Sequence, residues 1–147
     1  YQPAATDRPC DANKWYHVAA VWTGSSWDIY IDGQYAAGTP TQGESMNLGK
    51  NDGYGFGLGA LSQWQSSRPL MGYLAECRVW TRALSQSEIA NNMNYVDPTS
   101  EGLLAYWRMN EWTPNPDGGN IVPDLTGHGY DAHGGSSNPT MMDTRWM

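Results

Sequence analysis

The stretch that decides the fold runs from Pro69 to Met93 and reads Pro-Leu-Met-Gly-Tyr-Leu-Ala-Glu-Cys-Arg-Val-Trp-Thr-Arg-Ala-Leu-Ser-Gln-Ser-Glu-Ile-Ala-Asn-Asn-Met. From Tyr73 to Trp80 the side chains fall alternately on two faces. One face carries Tyr, Ala, Cys and Val, and the other carries Leu, Glu, Arg and Trp. This period of two predicts a half-buried β-strand.

The pattern changes immediately after this strand. Ser85 and Glu88 are spaced as a capping box, in which each side chain satisfies a backbone N–H left free at a helix start. Leu84 and Ile89 occupy the positions of a hydrophobic staple around the same helix start. The sequence therefore predicts a short helix directly behind the strand.

Three blocks of sequence carry a family resemblance. The segment from Gly72 to Ile89 resembles the closing strand and helix of laminin-G-like and pentraxin-like jelly-roll domains, which are concanavalin A-like sandwiches. Trp15-Tyr-His-Val-Ala and Ile29-Tyr-Ile-Asp-Gly are similar to that family's W-x-H-V-A and L-Y-V-D-G pair. Tyr106-Trp-Arg-Met-Asn-Glu with the segment 121–132 looks like a motif of such domains in polysaccharide-degrading gut bacteria. The implied fold is all-β, a two-sheet antiparallel jelly-roll sandwich with one short helix.

The resemblance also bears on where this domain begins. Family members reach the W-x-H-V-A strand only about midway, whereas here it starts at Trp15. We therefore expect residues 1–147 to be one sandwich domain, the C-terminal portion of a longer polypeptide, with the opening strands and any export signal upstream. The length suits a single core.

The remaining strands follow from alternating patterns and turn residues. Asp32-Gly33 is typical of a tight hairpin turn. Both faces of the first strand are largely apolar, so we expect it to be central. Four tryptophans, Trp15, Trp22, Trp80 and Trp107, fit core strands. The predicted strands are Trp15–Trp22, Trp27–Ile31, Gln34–Ala37, Ser45–Gly49 and Leu103–Met109.

Charge and composition limit the classes of partner. The formal net charge is -7 and the sequence pI is about 4.6. Nucleic acids and anionic membranes call for clustered Lys and Arg, so neither is an expected partner. No apolar run approaches the roughly 20 residues that span a bilayer.

The two cysteines leave two readings open. Cys10 lies in a loop, and Cys77 falls on the apolar face of the predicted strand. A bridge between them is one alternative in an exported protein. The favoured alternative is a free thiol at Cys77, which would pack as a small hydrophobe.

No pair of carboxylates suited to glycoside hydrolysis is evident. Hydrolases on this sandwich place two carboxylates on one strand face, and retention requires them about 5 Å apart. The strand predicted from Tyr73 to Trp80 offers Glu76 alone, with Arg78 beside it on the same face. We interpret these two residues as a structural ion pair and predict no catalytic residue in this region.

Calcium is the metal to consider, because pentraxin-like relatives bind it in a loop that corresponds to the segment starting at Lys50. There, Asn51 and Asp52 would supply the hard oxygens that calcium takes. Asp124, followed by Gly-rich backbone, is a second candidate. In both places the favoured alternative is an ordinary turn, with the Asp124 carboxylate bonded to nearby backbone N–H groups. A zinc set of Asp131 and the two histidines His128 and His133 is disfavoured, and His17 is read as structural.

Carbohydrate binding needs a flat aromatic face for the apolar side of a pyranose and nearby polar groups for its hydroxyls. The loop from Asn51 to Gln65 offers this mixture, and Trp112 in a polar loop offers a second platform. Trp27 is a weaker third. The predicted carbohydrate-binding residues are Asn51, Tyr54, Trp64, Gln65 and Trp112.

The first functional hypothesis is a non-catalytic module that recognises a glycan or glycoprotein, in an exported or surface-attached bacterial protein. The second is a structural or adhesion module that packs against a neighbouring domain of the same polypeptide. The third is an accessory domain of a glycoside hydrolase whose active site lies upstream.

Overall fold

A computed structural model of the chain describes residues 10–40, 57–59 and 70–134. Two compact units divide the chain: Tyr1–Leu48 with Trp80–Asp97, and Gly49–Val79 with Pro98–Met147. The predicted strand at Ser45–Gly49 lies outside the described residues. The described elements, in chain order, are β1 (Val18–Trp22), β2 (Ser26–Ile31), β3 (Gln34–Pro40), β4 (Cys77–Trp80), α1 (Gln86–Asn91), β5 (Leu103–Trp107), β6 (Thr113–Pro114), β7 (Asn120–Val122) and β8 (Ala132–His133).

The first unit contains an antiparallel sheet in the order β1-β2-β3. The predicted hairpin turn is confirmed, because Asp32 and Gly33 both have positive φ, 51° and 74°. The prediction that the first strand is central is wrong for the described sheet, where β2 lies between β1 and β3. Trp15 is 51% exposed and Val18 is 62% exposed, whereas Val21 is buried. The predicted core position of Trp15 is therefore wrong, and β1 does not bury both of its faces.

The helix α1 forms as predicted. The Ser85 hydroxyl accepts a hydrogen bond from the Glu88 backbone N–H, and the Glu88 carboxylate accepts one from the Ser85 backbone N–H at 2.8 Å. Ile89 is buried and Leu84 is half-buried, as the staple requires. With only six residues, this helix is too short to cross a membrane, and the described part of the chain has no other candidate span.

In the second unit, β4 and β5 pair in a sheet of their own. The predicted strand start at Tyr73 is wrong: β4 begins at Cys77. Glu76 adopts a φ of 54°, a left-handed conformation that an extended strand does not contain. The chain therefore joins the sheet only after this residue.

Strand β5 is the core strand that its sequence predicts, although it ends at Trp107 rather than Met109. Ala105 and Trp107 are buried with Val122 of β7, and half-buried Cys77 and other apolar side chains pack against them. Tyr106, on the opposite face, is fully buried. Burial on both faces confirms the prediction made for Trp107 and this strand.

Strands β6, β7 and β8 form a small antiparallel sheet, and β6 lies directly after Trp112 in the segment predicted as a polar loop. The fold class is nevertheless confirmed: the described elements are strands in sheets, with one short helix among them. Cys10 and Cys77 are both free thiols, so the favoured alternative for the cysteines is the observed one.

Candidate functional site

Trp112 is the predicted carbohydrate-binding residue that the described structure contains, and it is accessible. It precedes β6 directly and its side chain is 47% exposed. Strand β6 pairs with β7, with Thr113 opposite Ile121 and Pro114 opposite Asn120. The indole is therefore presented beside a hydrogen-bonded hairpin, the kind of rigid support that a binding platform requires.

The turn of this hairpin is built by Asn115. Its Oδ1 accepts the Asp117 backbone N–H at 3.1 Å, and its backbone N–H donates to the Gly119 carbonyl at 3.0 Å. The Asn115 side-chain amide thus stabilises the turn through its oxygen. The other predicted carbohydrate-binding and calcium residues, Asn51, Asp52, Tyr54, Trp64 and Gln65, lie outside the described residues.

Glu76 is the centre of a charged cluster in the second unit. Its Oε2 lies 2.8 Å from Arg78 Nη2, which confirms the predicted ion pair, and its Oε1 lies 2.9 Å from Arg108 Nε. The Tyr106 hydroxyl donates to Oε2, and the Arg78 guanidinium lies 5.0 Å from the centroid of the Tyr106 ring. The Arg78 side chain is 6% exposed. The left-handed backbone of Glu76 turns its carboxylate toward these three donors.

The electrostatics of this cluster do not suit acid catalysis. Burial alone raises the pKa of the Glu76 carboxyl, but hydrogen bonds from Tyr106, Arg108 and Arg78 outweigh it and hold the pKa below its usual value. A general acid in glycoside hydrolysis needs a raised pKa and a free face toward the leaving oxygen. Glu76 is instead a fixed anion that forms ion pairs with two guanidinium groups.

Asp124 organises the loop that follows β7. Its Oδ1 accepts the backbone N–H of Tyr106 and of Thr126, both at 3.0 Å, and its Oδ2 accepts the Tyr130 N–H at 3.2 Å. The Thr126 hydroxyl lies 2.8 Å from each oxygen. Burial raises the pKa of Asp124, but these hydrogen bonds exceed that effect and lower it. The predicted turn-capping role is confirmed, and it extends across to β5.

This arrangement does not fit a calcium ion at Asp124. Calcium takes six to eight oxygen ligands with their lone pairs turned toward it, whereas both Asp124 oxygens already accept N–H and O–H donors. The disfavoured zinc set also has competing bonds, since His128 Nδ1 lies 2.9 Å from the Leu104 carbonyl oxygen. Asp131 Oδ1 accepts the Asp124 N–H at 2.8 Å. No group of three or more ligand-type side chains suited to a metal occurs in the described ranges.

Sequence reasoning missed the partners that complete both clusters. Tyr106 joins them, since its hydroxyl meets Glu76 and its backbone N–H meets Asp124. Arg108 was overlooked as a second partner of Glu76, and Trp107 Nε1 donates to the Tyr130 carbonyl at 2.7 Å. The available signal was weak: two polar residues, Tyr106 and Arg108, share one face of a strand that is otherwise apolar.

Comparison with known proteins bears on what this scaffold does. Residues 1–90 match the laminin-G-type sequence model of the concanavalin A-like lectin/glucanases superfamily. No curated protein matches the chain.

Two solved structures are similar. One is a protein from Bacteroides ovatus, provisionally named a carbohydrate-binding protein, with a TM-score of 0.63 and 30% identity over 84% of this chain. The chain spans 35% of that protein's length. The other is an S-layer domain-containing protein from Clostridium thermocellum, with a TM-score of 0.48, 25% identity, and coverage of 58% of this chain and 42% of that one. The second likeness is too distant to establish a shared fold.

Proposed function

The chain belongs to the concanavalin A-like lectin/glucanases superfamily, and on that premise we propose that it is a non-catalytic carbohydrate-binding module of an exported or cell-surface bacterial protein. The observation that carries the proposal is the 47% exposure of Trp112 beside the β6–β7 hairpin. A large ring at the surface of a rigid hairpin can stack on the apolar face of a pyranose.

Two further observations support this proposal. The Bacteroides ovatus protein, 30% identical to this chain, is named for carbohydrate binding. The conspicuous carboxylate of the second unit, Glu76, is held as an anion between two arginines rather than presented to a substrate. Binding without hydrolysis is the function that this geometry supports best.

The test is a glycan array followed by calorimetry with the purified protein. We expect binding to a bacterial or plant polysaccharide fragment, and a loss of about tenfold or more in affinity for Trp112→Ala, because removing a stacked ring costs on the order of 1–3 kcal/mol. Tyr95→Ala is the matched control, since Tyr95 is an equally accessible ring, 59% exposed, in the other unit. A wild-type protein that binds no glycan on the array would refute the proposal.

A second candidate function has its own observation. Leu70, Met71 and Tyr73 lie just before β4 and are 49%, 92% and 54% exposed. Apolar side chains clustered at a surface often mark a contact with another protein surface. A structural module that packs on a neighbouring domain of the same polypeptide would use them. Slower hydrogen exchange at residues 70–73 when a neighbouring domain is present in the same polypeptide would favour this candidate.

Two further parts of the proposal are an accompanying enzyme and a calcium ion. A domain of this kind can accompany a glycoside hydrolase in the same polypeptide, and the glycan-binding role would then hold the enzyme on its substrate. Calcium at Asn51 and Asp52 also stays a prediction. Its measurement is the melting temperature with added calcium and then with a chelator, because a ligand that binds the folded state raises that temperature.

A further inference from the structure

A β-bulge places two tyrosines and a glycine on one face of the first sheet. The two-residue turn at Asp32-Gly33 sets Tyr30 opposite Tyr35. The register then shifts between Ile29 and Tyr30, so that Asp28 lies opposite Gly38. One extra residue on β3 therefore brings Tyr35 and Gly38, three positions apart, onto the same face.

The Tyr35 side chain lies over Gly38, and its ring packs against the ring of Tyr30. A Cβ atom at Gly38 would overlap the Tyr35 hydroxyl and would lie 2.8 Å from Asp28 Oδ1. The rings of Tyr30 and Tyr35 meet edge to face, with centroids 5.7 Å apart and an interplanar angle of 80°. Tyr35 is still 55% exposed. A ring that is accessible yet fixed loses little entropy when a ligand binds it.

Polar groups continue from this ring along β2. The Ser26 hydroxyl donates to Asp28 Oδ1 at 2.9 Å and also lies 2.9 Å from Thr23 Oγ1. Among the described residues, neither Asp28 Oδ2 nor the Tyr35 hydroxyl has a hydrogen-bond partner. The Asp28 carboxylate and the Tyr35 hydroxyl thus lie together next to Gly38, beside the exposed ring. We call the surface formed by Ser26, Asp28, Tyr30 and Tyr35 the tyrosine face.

The charge around the tyrosine face selects the kind of ligand. The segment from Trp15 to Pro40 contains two aspartates, Asp28 and Asp32, and no lysine or arginine. The whole chain has a formal net charge of -7. Uronic acids and sulfated sugars would meet like charge here, and like charges placed together disfavour a partner. Neutral pyranosides offer hydroxyls to the carboxylate and an apolar face to the ring.

We propose that the tyrosine face is a binding surface for neutral pyranosides, separate from the Trp112 platform. It would take a sugar ring on Tyr35, with a sugar hydroxyl donating to Asp28 Oδ2 and another bonding the Tyr35 hydroxyl. The assignment rests on the proposed carbohydrate-binding function. It adds to that function the location of a binding surface and the charge of its ligand, neither of which follows from the predicted loop residues.

The experiment uses three neutral probes, cellohexaose, xylohexaose and mannohexaose, and one acidic probe, hexagalacturonate. Calorimetry measures affinity, and amide NMR of the labelled protein follows the Gly38 signal during titration. We expect a neutral probe to bind and shift that signal, and hexagalacturonate to bind at least about tenfold more weakly. Gly38→Ala places a Cβ atom that overlaps the Tyr35 hydroxyl, so Tyr35 must move from its position beside Asp28, and we expect this variant to weaken binding about tenfold or more.

Tyr35→Phe isolates the hydroxyl and keeps the ring. Loss of one hydrogen bond predicts a decrease in affinity of roughly threefold to tenfold. Tyr95→Ala, outside this face, is the control and should bind as the wild type does. Melting temperatures of all variants are measured to test whether each is folded.

The outcomes separate this inference from the proposed function. If a neutral probe binds, Trp112→Ala abolishes binding, and Gly38→Ala and Tyr35→Phe change nothing, the tyrosine face is refuted while the carbohydrate-binding function stands. Stronger binding of hexagalacturonate than of every neutral probe would refute the charge argument and the inference with it. If no probe binds and the wider array is also negative, the proposed function fails as well.

Discussion

Replacing Asp124 by asparagine tests the claim that one buried carboxylate ties β5 to the loop behind β7. In the wild type the two oxygens receive the N–H groups of Tyr106, Thr126 and Tyr130. Asparagine keeps one oxygen, which can still accept the Tyr106 and Thr126 donors. Its NH₂ group then faces the Tyr130 N–H, donor against donor, at the position where Oδ2 now lies 3.2 Å away.

The size of the effect follows from this loss. Leaving a buried donor unsatisfied costs about 1–3 kcal/mol. Because Tyr130 is 51% exposed and its hydrogen bond to Asp124 is part-buried, we expect Asp124→Asn to lower the free energy of unfolding by about 1 kcal/mol, the lower end of that range. Asp124→Ala also leaves the backbone N–H of fully buried Tyr106 without its acceptor. We therefore expect this variant to lower the free energy of unfolding by about 3–5 kcal/mol. Urea unfolding followed by tryptophan fluorescence measures both values.

The pH dependence gives an independent measurement. The folded-state pKa of Asp124 lies below its ordinary value of 3.8. The ionised carboxylate therefore stabilises the fold fully above that ordinary pKa, and this contribution is lost as the pH falls through the lower, folded pKa. The gap in unfolding free energy between wild type and Asp124→Asn should narrow over that acidic range and be constant near neutrality.

Asp117→Asn is the matched control, because Asp117 is an exposed carboxylate in the nearby turn. It should leave the free energy of unfolding within about 0.5 kcal/mol of the wild-type value. If Asp124→Asn unfolds at the same urea concentration as this control, the carboxylate does not stabilise the loop and the reasoning is wrong.

Two further predictions concern the turn glycines and the cysteines. Gly33→Ala places a Cβ at positive φ and 2.9 Å from Ala90 Cβ, whereas Gly24→Ala has positive φ with nothing within 4 Å. We expect the first variant to be less stable than the second by about 1–3 kcal/mol in urea unfolding, and equal stability would contradict the tight contact. Burial raises the pKa of the Cys77 thiol to about 11, so at pH 8 a thiol reagent should modify exposed Cys10 rapidly and Cys77 only after denaturation. Rapid reaction of both in the folded protein would contradict the burial of Cys77, and a lack of reaction at Cys10 would contradict its exposed free thiol.

The features that the sequence predicted correctly are local. The capping box at Ser85 and Glu88 and the Asp32-Gly33 turn need only neighbours within a few residues, so their residue types are sufficient signals. The buried strand around Trp107 was also predictable, since both of its faces are apolar over several positions. These elements set the frame on which the candidate surfaces lie.

The features that were mispredicted depend on distant partners. The early start given to β4 failed because Glu76 takes a left-handed backbone, and two of the three donors to its carboxylate, Tyr106 and Arg108, lie about 30 residues later in the chain. Alternation along Tyr73–Trp80 carries no trace of those contacts. Exposure of Trp15 likewise depends on what packs beside it, which its own pattern does not specify.

Local rules also predict part of the tyrosine face. A two-residue turn fixes hairpin register, so Asp32-Gly33 alone sets Tyr30 opposite Tyr35. The bulge that brings Gly38 opposite Asp28 is not encoded by that turn, because it depends on the pairing further along both strands. Alternation along β2 and the turn therefore predict that Asp28, Tyr30 and Tyr35 share a face. The close approach of Gly38 to Tyr35 and Asp28 emerges only once the two strands are paired. The same reasoning explains why the predicted carbohydrate-binding residues are loop residues. A strand residue becomes a candidate only when its cross-strand neighbours are known.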